Sequence, residues 1–561
     1  MRRIALATLL ATCTLTGLWS QAVIPAPARL LRGQGGFTLG PGTVIQAQGD
    51  ARPLGETLAG YLRPATGLPL PVQDAAAGRD VLRLVLEPRT GPDGAGAAEG
   101  YRLDVDADAV ELRAPEPAGL FHGLQTLRQL LPGQIFRAAQ VPGVAWTLPA
   151  VAIEDRPRFP WRGSHLDVGR HFLPMAFIKK HLDLMALHKL NVFHWHLTED
   201  QGWRLELLRH PLLAQVGGWR RETVLPEFSR VDFPDQMRFD HTPCGGFYTQ
   251  DDVREIVRYA ADRFITVVPE IELPGHCTAA IAACPELGND PGRPVEVATR
   301  WGEFETVFNV EDSTLALLKD VLDETLELFP SRYIHIGGDE CPKTEWAHSE
   351  RALARMISCG LVPPGTTLAD IQQYRDAGGK PAEHPALARL QSWFIAQMDA
   401  HLTARGRHLV GWDEILEGGL AEGATVMCWR GESGAVAAAR AGHDVVMAPM
   451  DTTYFSQYET RGPEPLGAGG FIPLDQVYAF DPVPAGLAPG EAGHILGAEG
   501  ALWTEFVATP ERAEYQLWPR LAALAEVLWS PAGDRDFPAF RSRLDQHLKR
   551  LDALDVAYHP Q

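Results

Sequence analysis

From Arg156-Pro157-Arg158-Phe159-Pro160 onward the chain repeats one local pattern. A short apolar run bounded by turn residues is followed, in most cases, by a longer stretch with apolar residues at helical spacing. The runs that predict strands are 161–166, 191–195, 264–269, 333–336, 408–412, 425–429, 444–448 and 495–503. The helical stretches are 177–189, 250–263, 313–328 and 385–405, and 510–528 closes the set. Strands that alternate with helices predict parallel pairing, because each crossover returns the chain to the same end of the sheet. Eight such units over roughly 370 residues are the count of a (β/α)8 TIM barrel with insertions. The long segments 217–249 and 341–384 then read as loop insertions on the functional face.

Residues 23–155 read as a separate small α/β domain. The β-type runs 43–46, 81–86, 101–104 and 109–113 alternate with helical stretches 54–62 and 118–131. They predict a mostly antiparallel sheet with helices on one face. No compact cluster of titratable residues falls in this stretch, so its expected task is to buttress. The catalytic domain is expected over 156–561.

At the start, Arg2 and Arg3 precede a mostly apolar run over 4–18, and small and polar residues follow to Ala22. That is the pattern of a secretory signal peptide over 1–22, so an exported chain, periplasmic or secreted, is expected. No later segment reaches membrane-spanning length without charge. The formal charge of −20 argues against nucleic acid or an anionic membrane surface as partner, and a neutral substrate is compatible with it. Seven cysteines match no zinc-site spacing, and no disulfide is assigned.

The chemistry gathers at the predicted strand ends. Tyr333-Ile-His-Ile-Gly-Gly-Asp-Glu340 reads as a buried strand that breaks at two glycines and delivers Asp339 and Glu340 to one mouth. Two acids so close cannot both ionise cheaply, so one pKa is expected to rise, as a general acid requires. Trp412, Trp429 and Trp503 stand at three further strand ends and suggest a sugar, whose apolar C–H face stacks on indole. Its hydroxyls need arginine and carboxylate partners, for which Arg162 and Glu505 are suitable. His335 reads as a hydrogen-bonded histidine packed in the barrel lumen.

Another class stays open on the same residues. His194-Trp-His196 is the alternating pair of a barrel metallohydrolase, although that chemistry would want further histidines where strands five, six and eight offer tryptophan. A sugar-binding protein without catalysis is a third.

The motifs resemble one family. Trp161-Arg-Gly163 with Leu166-Asp-Val-Gly-Arg-His-Phe172, His194 to Arg204, Pro269 to His276, His335 to Glu340 and Gly500 to Glu505 together resemble the glycoside hydrolase family 20 β-N-acetylhexosaminidases, from about residue 24 to the end. The resemblance implies exo-acting removal of terminal GlcNAc or GalNAc with retention, without cofactor or metal. The substrate's 2-acetamido oxygen would attack C1 to give an oxazolinium intermediate. Glu340 would be the acid and base, Asp339 would orient the acetamide N–H, and Tyr454 would donate to its oxygen. Trp412, Trp429 and Trp503 would wall the acetamide pocket, and Arg162 and Glu505 would hold ring hydroxyls. Asp200 and His276 would support Glu340. Ser456 departs from the family pattern, which leaves the Glc/Gal preference open, and Glu272, where many relatives have Asp, gives a longer reach to the same network. The expected partners are N-acetylhexosamine-terminated glycans or chitooligosaccharides, with no nucleic acid and no membrane span, and a homodimer stays open.

Overall fold

A computed structural model of the chain describes residues 22–76, 78–87, 98–230, 236–374 and 384–561. The leader expected over 1–22 lies outside the described residues, except for Ala22. Two compact units result: one holds the described residues up to Arg156 together with Asp536–Asp555, the other Pro157–Arg535 with Val556–Gln561.

The first unit is built on a seven-stranded sheet: β1 (Arg29–Thr38), β2 (Val44–Ala47), β3 (Val72–Gln73), β4 (Val81–Leu86), β5 (Tyr101–Val105), β6 (Ala109–Ala114) and β7 (Thr147–Asp155), in the order β1-β7-β5-β6-β4-β2-β3. The pairs β1–β7, β7–β5 and β5–β6 are antiparallel, and β6–β4, β4–β2 and β2–β3 are parallel. The sheet is therefore mixed where a mostly antiparallel one was expected. Helix α1 (Arg52–Thr66) is the crossover that brings β3 parallel to β2.

Leu54, Leu58 and Leu62 recur every fourth residue of α1 and are buried, and Gly67, at φ 67°, ends the helix. A Cβ added at Gly55 of α1 would meet Ala47, and one added at Gly123 of α2 (Pro117–Leu130) would meet Leu112. Ala47, Leu84 and Leu112 lie in register across β2, β4 and β6, so both helices cover one face. The C-terminal helix Phe537–Ala553 also belongs to this unit, and its Arg550 donates to the carbonyls of Ala22 and Gln129.

The second unit is a closed barrel of eight parallel strands: β8 (Trp161–Asp167), β9 (Val192–His196), β10 (Thr266–Glu270), β11 (Tyr333–His335), β12 (His408–Trp412), β13 (Thr425–Cys428), β14 (Val445–Met447) and β15 (Ile495–Leu502). Every residue of β8 and β9 is buried, as strands covered on both faces must be. β10 starts two residues later than expected because Phe264 adopts φ 57°, a left-handed turn out of the preceding helix.

The lumen has a lower apolar part of Trp161, Val192, Val268, Val410, Met427 and Val446. Towards the strands' C-terminal ends it becomes polar: His165, His194, His196, Glu270, His335 and Glu499 are all fully buried. Among the described residues no helix is long and apolar enough to cross a membrane. The six described cysteines are free.

Candidate active site

The end of β11 is shaped by backbone conformations that only glycine adopts without strain. Gly337 and Gly338 have φ of 66° and 95°. A Cβ at Gly337 would lie 1.7 Å from the Glu272 carboxylate, and one at Gly338 would lie 2.8 Å from an Ile415 methyl. The glycines thus make room for protein side chains, where the sequence suggested room for a ligand. Gln391 Nε2 donates to the Gly338 carbonyl at 2.8 Å and fixes the turn. Past it, Glu340 itself has φ 43°, an uncommon conformation for a residue with a side chain, and so does His276 at 47°. The turn leaves the Asp339 side chain 13% exposed and that of Glu340 37% exposed, so one acid lines an enclosed pocket and the other meets its mouth.

His276 joins the two acids to a second pair. Its Nδ1 lies 2.8 Å from Glu199 and 3.2 Å from Asp200, and its Nε2 faces Asp339 at 3.6 Å and Glu340 at 3.5 Å. Asp200 is held in turn by the Thr278 N–H at 2.9 Å and by the Thr278 hydroxyl. Burial opposes charge on the His276 ring, but Glu199, Asp339 and Asp200 outweigh it and hold its pKa well above the ordinary value.

The two adjacent acids are pushed in opposite directions. Burial, with Glu270 and Glu340 nearby, raises Asp339 to about 6 in spite of His276. The His276 ring, 3.5 Å away, lowers Glu340. One member of the pair does rise, as the sequence implied, but in the free protein it is Asp339 and not the acid assigned to proton transfer.

Aromatic residues close the pocket around Asp339. Trp412 is buried, donates from Nε1 to Glu270 at 2.7 Å, and packs 5.8 Å from Trp503 between ring centroids. It forms the floor. Trp429 and Trp503 are partly buried against that floor. Tyr454 reaches the same place through a bridge to Ala501 of β15. Its ring stacks on Trp429 at 6.2 Å and lies 5.9 Å from Trp503. Burial and the nearby Asp339 hold the Tyr454 phenol well above its ordinary range, so it stays a hydrogen-bond donor.

Along the first barrel strand the structure corrects one assignment. Arg162 is the second residue of β8, at the strand's N-terminal end, and is 0% exposed. Its guanidinium donates to the carbonyls of Lys189 and Phe159 at 2.8 Å each and lies 5.1 Å over the Trp529 ring. It is a structural tie at the opposite end of the barrel from Glu340. Arg170, three residues beyond the C-terminal end of β8, occupies the place expected of it. It pairs with Glu199 at 2.6 Å and Asp167 at 3.5 Å, and lies 5.0 Å over Trp503. Glu505 lies within its field, and burial raises the Glu505 carboxyl although Arg170 opposes this. Oε2 of Glu505 and Oδ1 of Asp339 are buried without a hydrogen-bond partner among the described residues, which fits groups that complete their bonding with a ligand.

The sequence of residues 159–532 matches the catalytic domain of glycosyl hydrolase family 20, and residues 20–156 match domain 2 of that family. The chain belongs to glycosyl hydrolase family 20. It is 41% identical to a beta-hexosaminidase of Porphyromonas gingivalis, over 96% of this chain and 64% of that protein, so it spans less than two thirds of that relative's length. The solved GH20 beta-N-acetylhexosaminidase of Streptomyces coelicolor A3(2) superposes with a TM-score of 0.78 at 34% identity, covering 96% of this chain and 98% of the other. The GH20 exo beta-N-acetylglucosaminidase of Vibrio harveyi in complex with N-acetylglucosamine gives 0.79 at 29% identity, covering 96% and 78%.

The histidines that suggested a metal lie together in the barrel lumen. His165, His196 and Glu270 form one ligand-like group, and His194, Glu270 and His335 another. Three of the four histidines are engaged by the buried acids Glu270 and Glu499, while His165 stands 3.8 Å from Glu270 and burial holds it neutral. His194 Nδ1 bonds Glu499 at 2.8 Å and its Nε2 faces Glu270 at 3.1 Å, His196 bonds Glu270, and His335 Nδ1 lies 2.8 Å from Glu270. Burial disfavours charge on both, yet Glu499 and Glu270 raise His194 to about 9, and Glu270 raises His196 to about 10. This family-20 lumen is a network of compensated charges beneath the Trp412 floor.

Arg170, Glu199 and Glu414 lie among the site residues, although residue-type reasoning gave them no role there. Arg170 was within reach of it. A side chain serves the barrel's mouth from beyond the strand's last residue, and Arg162 precedes that point by five residues.

Proposed function

We propose that the chain is an exo-acting β-N-acetylhexosaminidase that hydrolyses terminal, non-reducing N-acetylhexosamine with retention, using the substrate's own acetamido oxygen as nucleophile. One observation carries the reading: Asp339 is enclosed with Tyr454, Trp412, Trp429 and Trp503, while the adjoining Glu340 opens to the mouth. A retaining glycosidase with an enzymic nucleophile needs two carboxylates facing one anomeric carbon. Here the second carboxylate, Asp339, is the less exposed of the two and lies in the field of Tyr454, whose ring packs against Trp429 and Trp503.

In this reading Asp339 accepts the acetamide N–H and offsets positive charge as the oxazolinium ring closes. Tyr454 donates to the acetamide oxygen and aims it at C1, and the indole walls exclude water from the ring-closing step. Glu340 protonates the leaving oxygen and then removes a proton from water. His276, backed by Asp200 and Glu199, supplies a cation that holds both acids in register. Arg170 and Glu505 hold ring hydroxyls, and no cofactor is required.

The substrates of this reading are N-acetylhexosamine-terminated glycans, chitooligosaccharides among them, processed after export. The test is turnover of p-nitrophenyl N-acetyl-β-glucosaminide and N-acetyl-β-galactosaminide beside the 2-hydroxy glucoside. Hydrolysis of the acetamido sugars alone is expected. Equal cleavage of the glucoside would overturn the reading.

A further inference from the structure

Trp429 and Tyr454 are stacked nearly parallel, with an interplanar angle of 16°, so the position of one ring sets that of the other. Trp429 lies just beyond the end of β13, while the Tyr454 backbone is held by its bridge to Ala501. The Trp429 indole is nevertheless anchored: Nε1 donates to the two carboxyl oxygens of Glu414 at 2.9 and 3.2 Å. Glu414 belongs to the short 3-10 turn Asp413–Leu416 that follows β12, and it is buried. We propose, resting on the hexosaminidase reading above, that Glu414 is a positioning residue whose carboxyl fixes the Trp429 and Tyr454 walls and so sets the N-acyl size that the pocket accepts.

The surroundings of Glu414 account for the choice of residue. The groups that face it are Asp339, Asp413, Arg430 at 3.8 Å and the Trp429 indole. Arg430 is engaged elsewhere, with Asp413 at 2.9 Å and Glu417 at 2.8 Å. Burial and the neighbouring Asp339 raise the Glu414 carboxyl to about 8, so at neutral pH it is a neutral acid. A neutral acid still accepts the indole N–H, and it adds no second negative charge beside the carboxylate that must stabilise the oxazolinium. Glutamine has the same shape, accepts the same bond and is neutral at every pH. A carboxyl kept for its charge would fail on that replacement, whereas one kept for its anchoring bond would survive it.

The readout is therefore N-acyl discrimination, which a merely structural residue would not move. The ratio of kcat/KM for p-nitrophenyl N-propionyl- to N-acetyl-β-glucosaminide is measured in the wild type, Glu414→Ala and Glu414→Gln. Release of the indole in Glu414→Ala is expected to raise the ratio about tenfold while kcat on the acetyl substrate falls at least as much, as misplaced groups lose near-attack geometry. Glu414→Gln is expected to keep both within about threefold of the wild type, since only the anchoring bond is required. Should Glu414→Ala not fold, Glu414→Asp, which withdraws the carboxyl by one methylene, is expected to raise the ratio in the same direction. An unchanged ratio in active Glu414→Ala or Glu414→Asp, or Glu414→Gln as impaired as Glu414→Ala, would overturn this inference alone. A wild type inert toward both glycosides would overturn the hexosaminidase reading and this inference with it.

Discussion

His276 Nε2 stands 3.5 Å from the Glu340 carboxylate, at the far end of a ring whose Nδ1 is held between Glu199 and Asp200. The contact lowers the Glu340 pKa in the free protein, the opposite of what a proton donor needs. Glu340 is also the more exposed of the adjacent acids, so a leaving sugar that covers it removes water and drives its pKa back up. Binding thus arms the acid.

The pH dependence follows from treating Asp339 and Glu340 as a pair that shares protons. Reaction needs one proton on the pair, delivered from Glu340, with Asp339 ionised. Asp339 titrates near 6 and Glu340 below its ordinary value. As pH rises through about 6 the last shared proton leaves the free enzyme, so kcat/KM is expected to fall from that point upward. The kcat profile is expected to hold to higher pH, because bound substrate desolvates Glu340. Coincident alkaline limbs in the two profiles would contradict the arming role of binding.

Glu340→Gln removes the proton donor. With a poor leaving group, such as a second sugar, kcat is expected to fall by about 10³, and with 2,4-dinitrophenolate by much less, because that group departs without a proton. Steady-state kinetics on the two leaving groups reads the difference. Equal losses would take Glu340 out of the proton-transfer role.

Asp339→Asn separates function from stability. The folded-state pKa of Asp339 is raised, so the folded chain binds this proton more tightly than the unfolded chain, and stability is lost as pH rises from the ordinary carboxylate range to about 6 and stays lower above it. The variant is expected to lose about 10²–10³ in kcat on N-acetyl substrates. Its Tm is expected to rise at pH 7 and to match the wild type near pH 4. Calorimetry at the two pH values checks this, and a lower Tm at pH 7 would contradict it.

Arg162, in the first barrel strand, and Arg170, just beyond its end, give opposite expectations. Arg170→Ala is expected to cut kcat/KM about 10²-fold, as a charged hydroxyl clamp is lost. Arg162→Met leaves the Lys189 and Phe159 carbonyls without their donor and is expected to lower stability by about 2–4 kcal/mol with KM unchanged. Urea denaturation and Michaelis–Menten kinetics on both variants distinguish the roles.

The barrel was legible because its signal is periodic and long: each apolar strand and its helix repeats the same alternation. The Asp339-Glu340 pair was legible because it ends a strand at glycines. Three features were not. The parallel half of the first sheet depends on where the chain crosses over between strands, at α1 and after β3, which composition does not reveal. Arg162 and Arg170 have the same side chain, and only register along β8 separates the lower end of the barrel from its mouth. Which acid of the pair holds the proton is decided by His276, 63 positions before Asp339 in the chain and within 4 Å of both acids in space.

The central claim is attack by the amide oxygen, and its most direct measurement is kcat/KM across a series of N-acyl glucosaminides bearing zero to three fluorines on the acetyl methyl. Each fluorine withdraws charge from the carbonyl oxygen with little change in size. A steep, monotonic fall of about tenfold or more per fluorine is expected if that oxygen attacks C1 in the rate-limiting step. A rate independent of fluorination would show that the amide takes no part in displacement, and would contradict the account.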